Sequence, residues 1–142
     1  MIIRTLKVFP TGGLIWVGDE GSEDFPPYLG GSLIEHTNSL VMVGTRSPSQ
    51  GSTKLILATG GSDPSEALSG LKLAWSGSIS VGTGVLTVTD LDHGPYARLT
   101  CPDSVRVELF VDGNRYPETL GVVVPAPAQT GDGRSPGWGV AR

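Results

Sequence analysis

The sequence predicts an all-β protein, an antiparallel β-sandwich of jelly-roll or Greek-key type with about nine to eleven short strands and at most one short helical turn. Three observations carry this. Apolar residues recur with a period of two rather than the roughly 3.6 of a helix. Gly 21 and Pro 11 in 142 residues disfavour long helices, because in a helix interior they cost about 1 and about 3 kcal/mol each. Charged residues make up only 17% of the chain, too few for a coiled coil or a solvated helical array and below the roughly 25% of an average soluble protein.

The clearest strand is Val105 to Asp112. Val105, Val107, Leu109 and Val111 fall on one face, and Arg106, Glu108 and Asp112 on the other with Phe110 among them. Asp112-Gly113-Asn114 reads as a turn. Glu118 to Val124 returns with Leu120, Val122 and Val124 on one face, so the pair predicts a hairpin with a three- to five-residue loop. Gly84 to Thr89 and Ser39 to Thr45 are short and β-branched, and the second is followed by turn residues from Ser47 to Ser52. Ile2 to Val8, Thr53 to Ala58, Leu71 to Trp75 and Tyr96 to Cys101 complete the set. Short strands at such spacing, punctuated by Gly, Pro, Asn, Asp and Ser, belong to sandwiches and barrels. Only Pro64 to Leu68 has helical character, with Asp63 placed to cap it.

The domain organisation follows from composition. Residues 1–124 form the sandwich, and residues 125–142 a Pro/Gly-rich linker and tail with little to bury except Trp138. No apolar run approaches the roughly 18 residues of a membrane span, and no signal-peptide stretch follows Met1, so the expectation is a cytoplasmic protein. Cys101 is the sole cysteine, which excludes an internal disulfide and a Cys-based metal cage within one chain.

Few residues carry chemistry. His36 lies near a strand end and His93 in the turn Asp90-Leu91-Asp92-His93. A hydrolase would need His93, Cys101 and Asp90 or Asp92 to converge, and spacing alone does not bring them together. Asp-x-Asp in a turn is commonly an Asx hydrogen-bonding device, and the remaining positions of a calcium loop are absent. Gly82-Thr83-Gly84 and Gly60-Gly61-Ser62 lack the Gly-Lys-Ser/Thr of a phosphate loop and read as turns. The prediction is therefore no catalytic residue, no metal and no cofactor.

What remains is binding. Net charge is −4 and the ten Lys and Arg residues are scattered, which disfavours direct nucleic-acid binding. Acidic residues gather once, in Asp19, Glu20, Glu23 and Asp24, as a solvated loop or as a patch facing a basic partner. Phe110 among charges suits an interface anchor or a strand covered on both faces, and Trp138 could seat the tail in a groove. These six residues are the candidate partner-binding set.

Several segments together resemble a known family. They are Gly94-Pro95-Tyr96-Ala97-Arg98-Leu99 as a strand opening, a long strand with an acidic-Gly turn after it, and a last strand ending in Pro125-Ala126-Pro127. Upstream, Ser39 to Arg46 and Trp75 to Val88 are similar to the family's earlier strands. In outline, residues 1–128 resemble the competence protein J-like family of bacterial proteins, which includes the inhibitor of a DNA-entry nuclease. The resemblance implies an all-β sandwich and a protein that binds and neutralises a nuclease or toxin, as an inhibitor or immunity-type protein. It transfers no individual binding residue. Two other functions fit the same composition: a structural subunit of a multi-protein or phage-like particle, and a carbohydrate- or small-ligand-binding sandwich.

Overall fold

The computed structural model describes residues 2–23, 25–26, 33–60, 66–90, 94–125 and 138–140. Its strands are β1 (Ile2–Val8), β2 (Leu14–Asp19), β3 (Ile34–His36), β4 (Leu40–Gly44), β5 (Thr53–Gly60), β6 (Lys72–Ser80), β7 (Val85–Thr89), β8 (Pro95–Thr100), β9 (Ser104–Val111), β10 (Thr119–Pro125) and β11 (Trp138–Val140). They form two sheets, ordered β1-β5-β10-β9-β6 and β11-β8-β7-β2-β4-β3. The fold is an all-β sandwich.

Alternation explains the packing. Along β9 the burial switches residue by residue, with Val105, Val107, Leu109 and Val111 inward. They meet Ile15 and Val17 of β2, Val41 and Val43 of β4, Leu86 and Val88 of β7, and Ala97 and Leu99 of β8 in one core between the sheets. Strands β5 and β10 are apolar on both faces. Leu55, Leu57, Leu120, Val122 and Val124 point into that core, while Ile56, Ala58 and Val123 point out and are covered by Leu68 as a second, smaller cluster. Gly121 marks the cover: a Cβ there would lie 2.7 Å from the Leu68 Cδ2, so the missing side chain is what lets the 66–71 segment settle on the sheet.

Three local features depart from the expectations. One pairing is parallel: β10 runs alongside β5, with Leu120 opposite Leu55 and Val124 opposite Thr59, because β10 completes an antiparallel hairpin with β9 on its other side. The loop of that hairpin is longer than three to five residues, spanning 112–118. The Asp112 carboxylate holds it open by accepting the Asn114 N–H at 3.0 Å, the Glu118 N–H at 2.9 Å and the Thr119 N–H at 3.1 Å. Two 3-10 turns occur, at Thr11–Gly13 and Pro48–Gln50, against at most one helical turn expected. The second is closed by a capping box between Ser47 and Gln50. Of the expected helical stretch, Glu66 to Leu68 lie in turns and Pro64 and Ser65 lie outside the described residues. From the tail segment, Trp138 to Val140 pair antiparallel with β8, Trp138 opposite Leu99. No helix among the described residues is long and apolar enough to cross a membrane.

Candidate partner-binding surfaces

The sandwich has two ends, and charge is divided between them. The register puts Asp19, at the close of β2, beside Leu86 of β7. Its Oδ1 accepts the Thr83 N–H at 3.1 Å and the Thr83 hydroxyl at 2.5 Å, so this carboxylate pins the turn between β6 and β7. Glu20 takes the Arg98 Nε–H at 2.7 Å, an ion pair whose side chains are about half exposed. Glu23 is exposed, and Asp24 lies outside the described residues. Asp103 reaches the same end: its carbonyl accepts the Val81 N–H at 2.6 Å, on the turn that carries Thr83. Its side chain is exposed. Sequence clustering missed Asp103 because only the β6–β7 turn joins it to Asp19. The acidic end therefore gathers Asp19, Glu20, Glu23 and Asp103, with Arg98 as the neutralising cation.

The opposite end is basic. Lys7 and Lys54 face each other directly across β1 and β5, and both are exposed. Arg46, just past β4, donates from Nε to the Ser52 carbonyl at 2.8 Å and pairs with Glu118 at 2.5 Å. That ties the 46–52 loop to the 112–118 loop. Between the loops lies a shallow recess of about 420 Å³ lined by Arg46, Gln50, Asn114, Arg115, Tyr116 and Glu118. Tyr116 is 52% exposed, and the Arg115 guanidinium sits 5.4 Å from its ring centre.

Phe110 projects from the outer face of β9. It is partly buried against the Leu68 cluster and paired across the strands with Leu73 of β6, which is 54% exposed. Trp138 lies in β11. The six candidates are thus not one patch: Asp19, Glu20 and Glu23 share an end, and Phe110 sits on a sheet face.

Of the residues weighed for chemistry, Asp90, Tyr96's partner, is engaged in the fold. Asp90 is 3% exposed. Its Oδ2 accepts the Tyr96 hydroxyl at 2.5 Å and the Thr11 N–H at 3.0 Å, which fastens the β1–β2 connection to β8. Burial, together with the hydrogen bond to Asp90, pushes the Tyr96 hydroxyl well above its ordinary pKa. Burial likewise raises the Cys101 thiol, with a smaller push from the Asp19 charge. A nucleophilic cysteine needs the opposite shift. The His36 ring meets the Trp75 ring at a tilt of 51°, with ring centres 5.3 Å apart. Asp92 and His93 lie outside the described residues. Among the described residues no three His, Cys, Asp or Glu side chains gather as a metal site would require.

Geometry places the chain in a class: two-sheet all-β sandwiches with polar loops at both ends. No family model matches the sequence, and no curated protein matches it. Among solved structures the fold resembles the crystal structure of ComJ, inhibitor of the DNA degrading activity of NucA, from Bacillus subtilis. The TM-score is 0.61 and the identity 8%, over 89% of this chain and 99% of that one. The outline expected from the strand pattern is therefore present in three dimensions, and at this identity the likeness is one of fold.

Proposed function

We propose that this chain is a non-catalytic protein-binding module, an inhibitor-type protein that engages a nuclease and blocks its access to DNA. The observation that carries the reading is the shared sandwich outline with a nuclease inhibitor over nearly the whole of that inhibitor. The charge distribution supplies a physical route. A nuclease must present a basic groove to phosphate, and the end built from Asp19, Glu20, Glu23 and Asp103 offers carboxylates to such a groove. Asp19 is held by Thr83, so its charge is fixed in place; Glu23 and Asp103 are free to meet a cation. Net charge −4 is modest for imitating DNA, so the acid sets orientation and encounter rate, and apolar contact supplies the remaining affinity. Tyr96 and Thr11 engage Asp90, and the Cys101 thiol is raised by burial, which supports a role without catalysis.

The test is an assay of DNA degradation in an extract of the cells that make the protein, with purified protein titrated in. The expected result is dose-dependent loss of degradation that saturates at a fixed stoichiometry. Unchanged degradation at every dose overturns the reading.

A further inference from the structure

The basic end is a second surface, remote from the acidic one and built differently. Its acids are already engaged: the Asp112 carboxylate holds three backbone N–H groups of its own loop, and Glu118 is paired with Arg46. Its cations are less so. Among the described residues Lys7 and Lys54 make no ion pair, and neither does Arg115, whose guanidinium rests against Tyr116. Gln50 turns its Oε1 to the Ser47 N–H at 3.1 Å, leaving its amide N–H groups for the recess. The unmatched groups at this end are therefore mainly donors and cations around one exposed aromatic ring. Tyr and Arg are also the side chains most enriched where truncation costs an interface most. An arginine fork suits a carboxylate because two N–H groups meet two oxygens.

We propose that this end of the sandwich docks an acidic, carboxylate-bearing segment of a protein partner, with Arg115 and Tyr116 at the centre and Lys54 and Lys7 at the flank. Charge complementarity selects that occupant. The Arg115 fork matches the two oxygens of a carboxylate, whereas a nucleic-acid strand brings several bases for one exposed ring, Tyr116. The surface is independent of the acidic end, so the module has two faces of opposite sign and can contact two partners, or two regions of one partner, at once.

The experiment uses the full chain and a fluorescent hexaglutamate peptide, with hexaglutamine and oligothymidylate as comparison probes, read by polarisation. Expected is binding of hexaglutamate that weakens as salt rises from about 50 to about 300 mM. Arg115→Glu and Tyr116→Ala each weaken it by about tenfold or more. Arg115→Gln gives a smaller loss, and Arg106→Gln, near the other end of β9, leaves binding within about twofold. All these side chains are exposed, so unfolding midpoints should stay put and confirm that each variant is folded. Failure of hexaglutamate to bind at about millimolar concentration, equal binding of hexaglutamine, or no effect of Arg115→Glu overturns the proposal. Tighter binding of oligothymidylate would assign the surface to nucleic acid, and salt-sensitive self-association abolished by Arg115→Glu would assign it to a second copy; either result also overturns it.

Discussion

Tyr96→Phe removes one oxygen from the fastening between β8 and the β1–β2 connection. In the wild type that oxygen donates to the Asp90 Oδ2 at 2.5 Å, while the Thr11 N–H donates to the same atom at 3.0 Å. Asp90 is 3% exposed, so water cannot readily replace the lost donor. A hydrogen bond to a charged group contributes about 1.5–3 kcal/mol, and the retained Thr11 contact puts the expected loss toward the lower half of that range. For a chain of this size each kcal/mol lowers Tm by roughly 3–5 °C, so the expected drop at neutral pH is about 5–10 °C. The pH dependence gives a second reading. The folded state holds the Tyr96 proton more tightly than the ordinary 10.0 of the unfolded chain. The unfolded state therefore binds fewer protons once pH exceeds 10, and stability contributed by this group is complete below that point and falls as pH rises beyond it. Urea unfolding at pH 7 and across pH 9.5 to about 11.5 should show wild type losing stability more steeply than Tyr96→Phe above pH 10. Wild type and variant within about 0.5 kcal/mol at pH 7, with parallel profiles in alkali, would refute the account of Asp90 as a structural fastening.

Three further outcomes are expected. Leu68→Ala should cost about 2–4 kcal/mol by opening a gap over Gly121, Gly121→Ala about 1–3 kcal/mol by crowding Leu68, and the double variant less than their sum; strict additivity in a double-mutant cycle by urea unfolding would show that the two do not touch. The Cys101 thiol, raised by burial, should react with iodoacetamide at pH 8 far more slowly in the native protein than in urea, and equal rates would contradict its placement. Lys7→Glu converts a like-charge cross-strand pair with Lys54 into an attractive one and should raise stability by about 0.2–1 kcal/mol at low salt, an increment that added salt should shrink.

The fold was largely legible because burial in a sandwich follows alternation. Val105, Val107, Leu109 and Val111 announce their facing in the sequence and point inward in the structure. Period two cannot say which strands are neighbours, so the parallel pairing of β10 with β5 went unseen. The Asp112 carboxylate extended a loop that its Asp-Gly signal made look short. Phe110 looked anomalous on a polar face because its cover, Leu68, comes from a remote segment. The surfaces were legible only where acids are contiguous: Glu20 and Glu23 could be read, while Asp103 needed the β6–β7 turn to reach them. The basic end has no counterpart in the sequence, since Lys7, Arg46, Lys54 and Arg115 are scattered along the chain and only the register assembles them. Asp90 carried the residue type of a catalytic or metal group, and what distinguishes it is burial beside Tyr96.

The proposed function turns on the acidic end meeting the basic groove of a nuclease. Glu20→Lys, Glu23→Lys and Asp103→Lys combined leave Asp19, and with it the Thr83 turn, untouched. The exposed pair lost with Glu20 costs at most about 1 kcal/mol of stability. The direct measurement is the association rate of wild type and this triple variant with a nuclease captured by the wild-type protein, followed against salt. The account predicts fast, steeply salt-dependent association for wild type, and association slowed at least tenfold with a flattened salt dependence for the variant. Identical rates and identical salt slopes would contradict it.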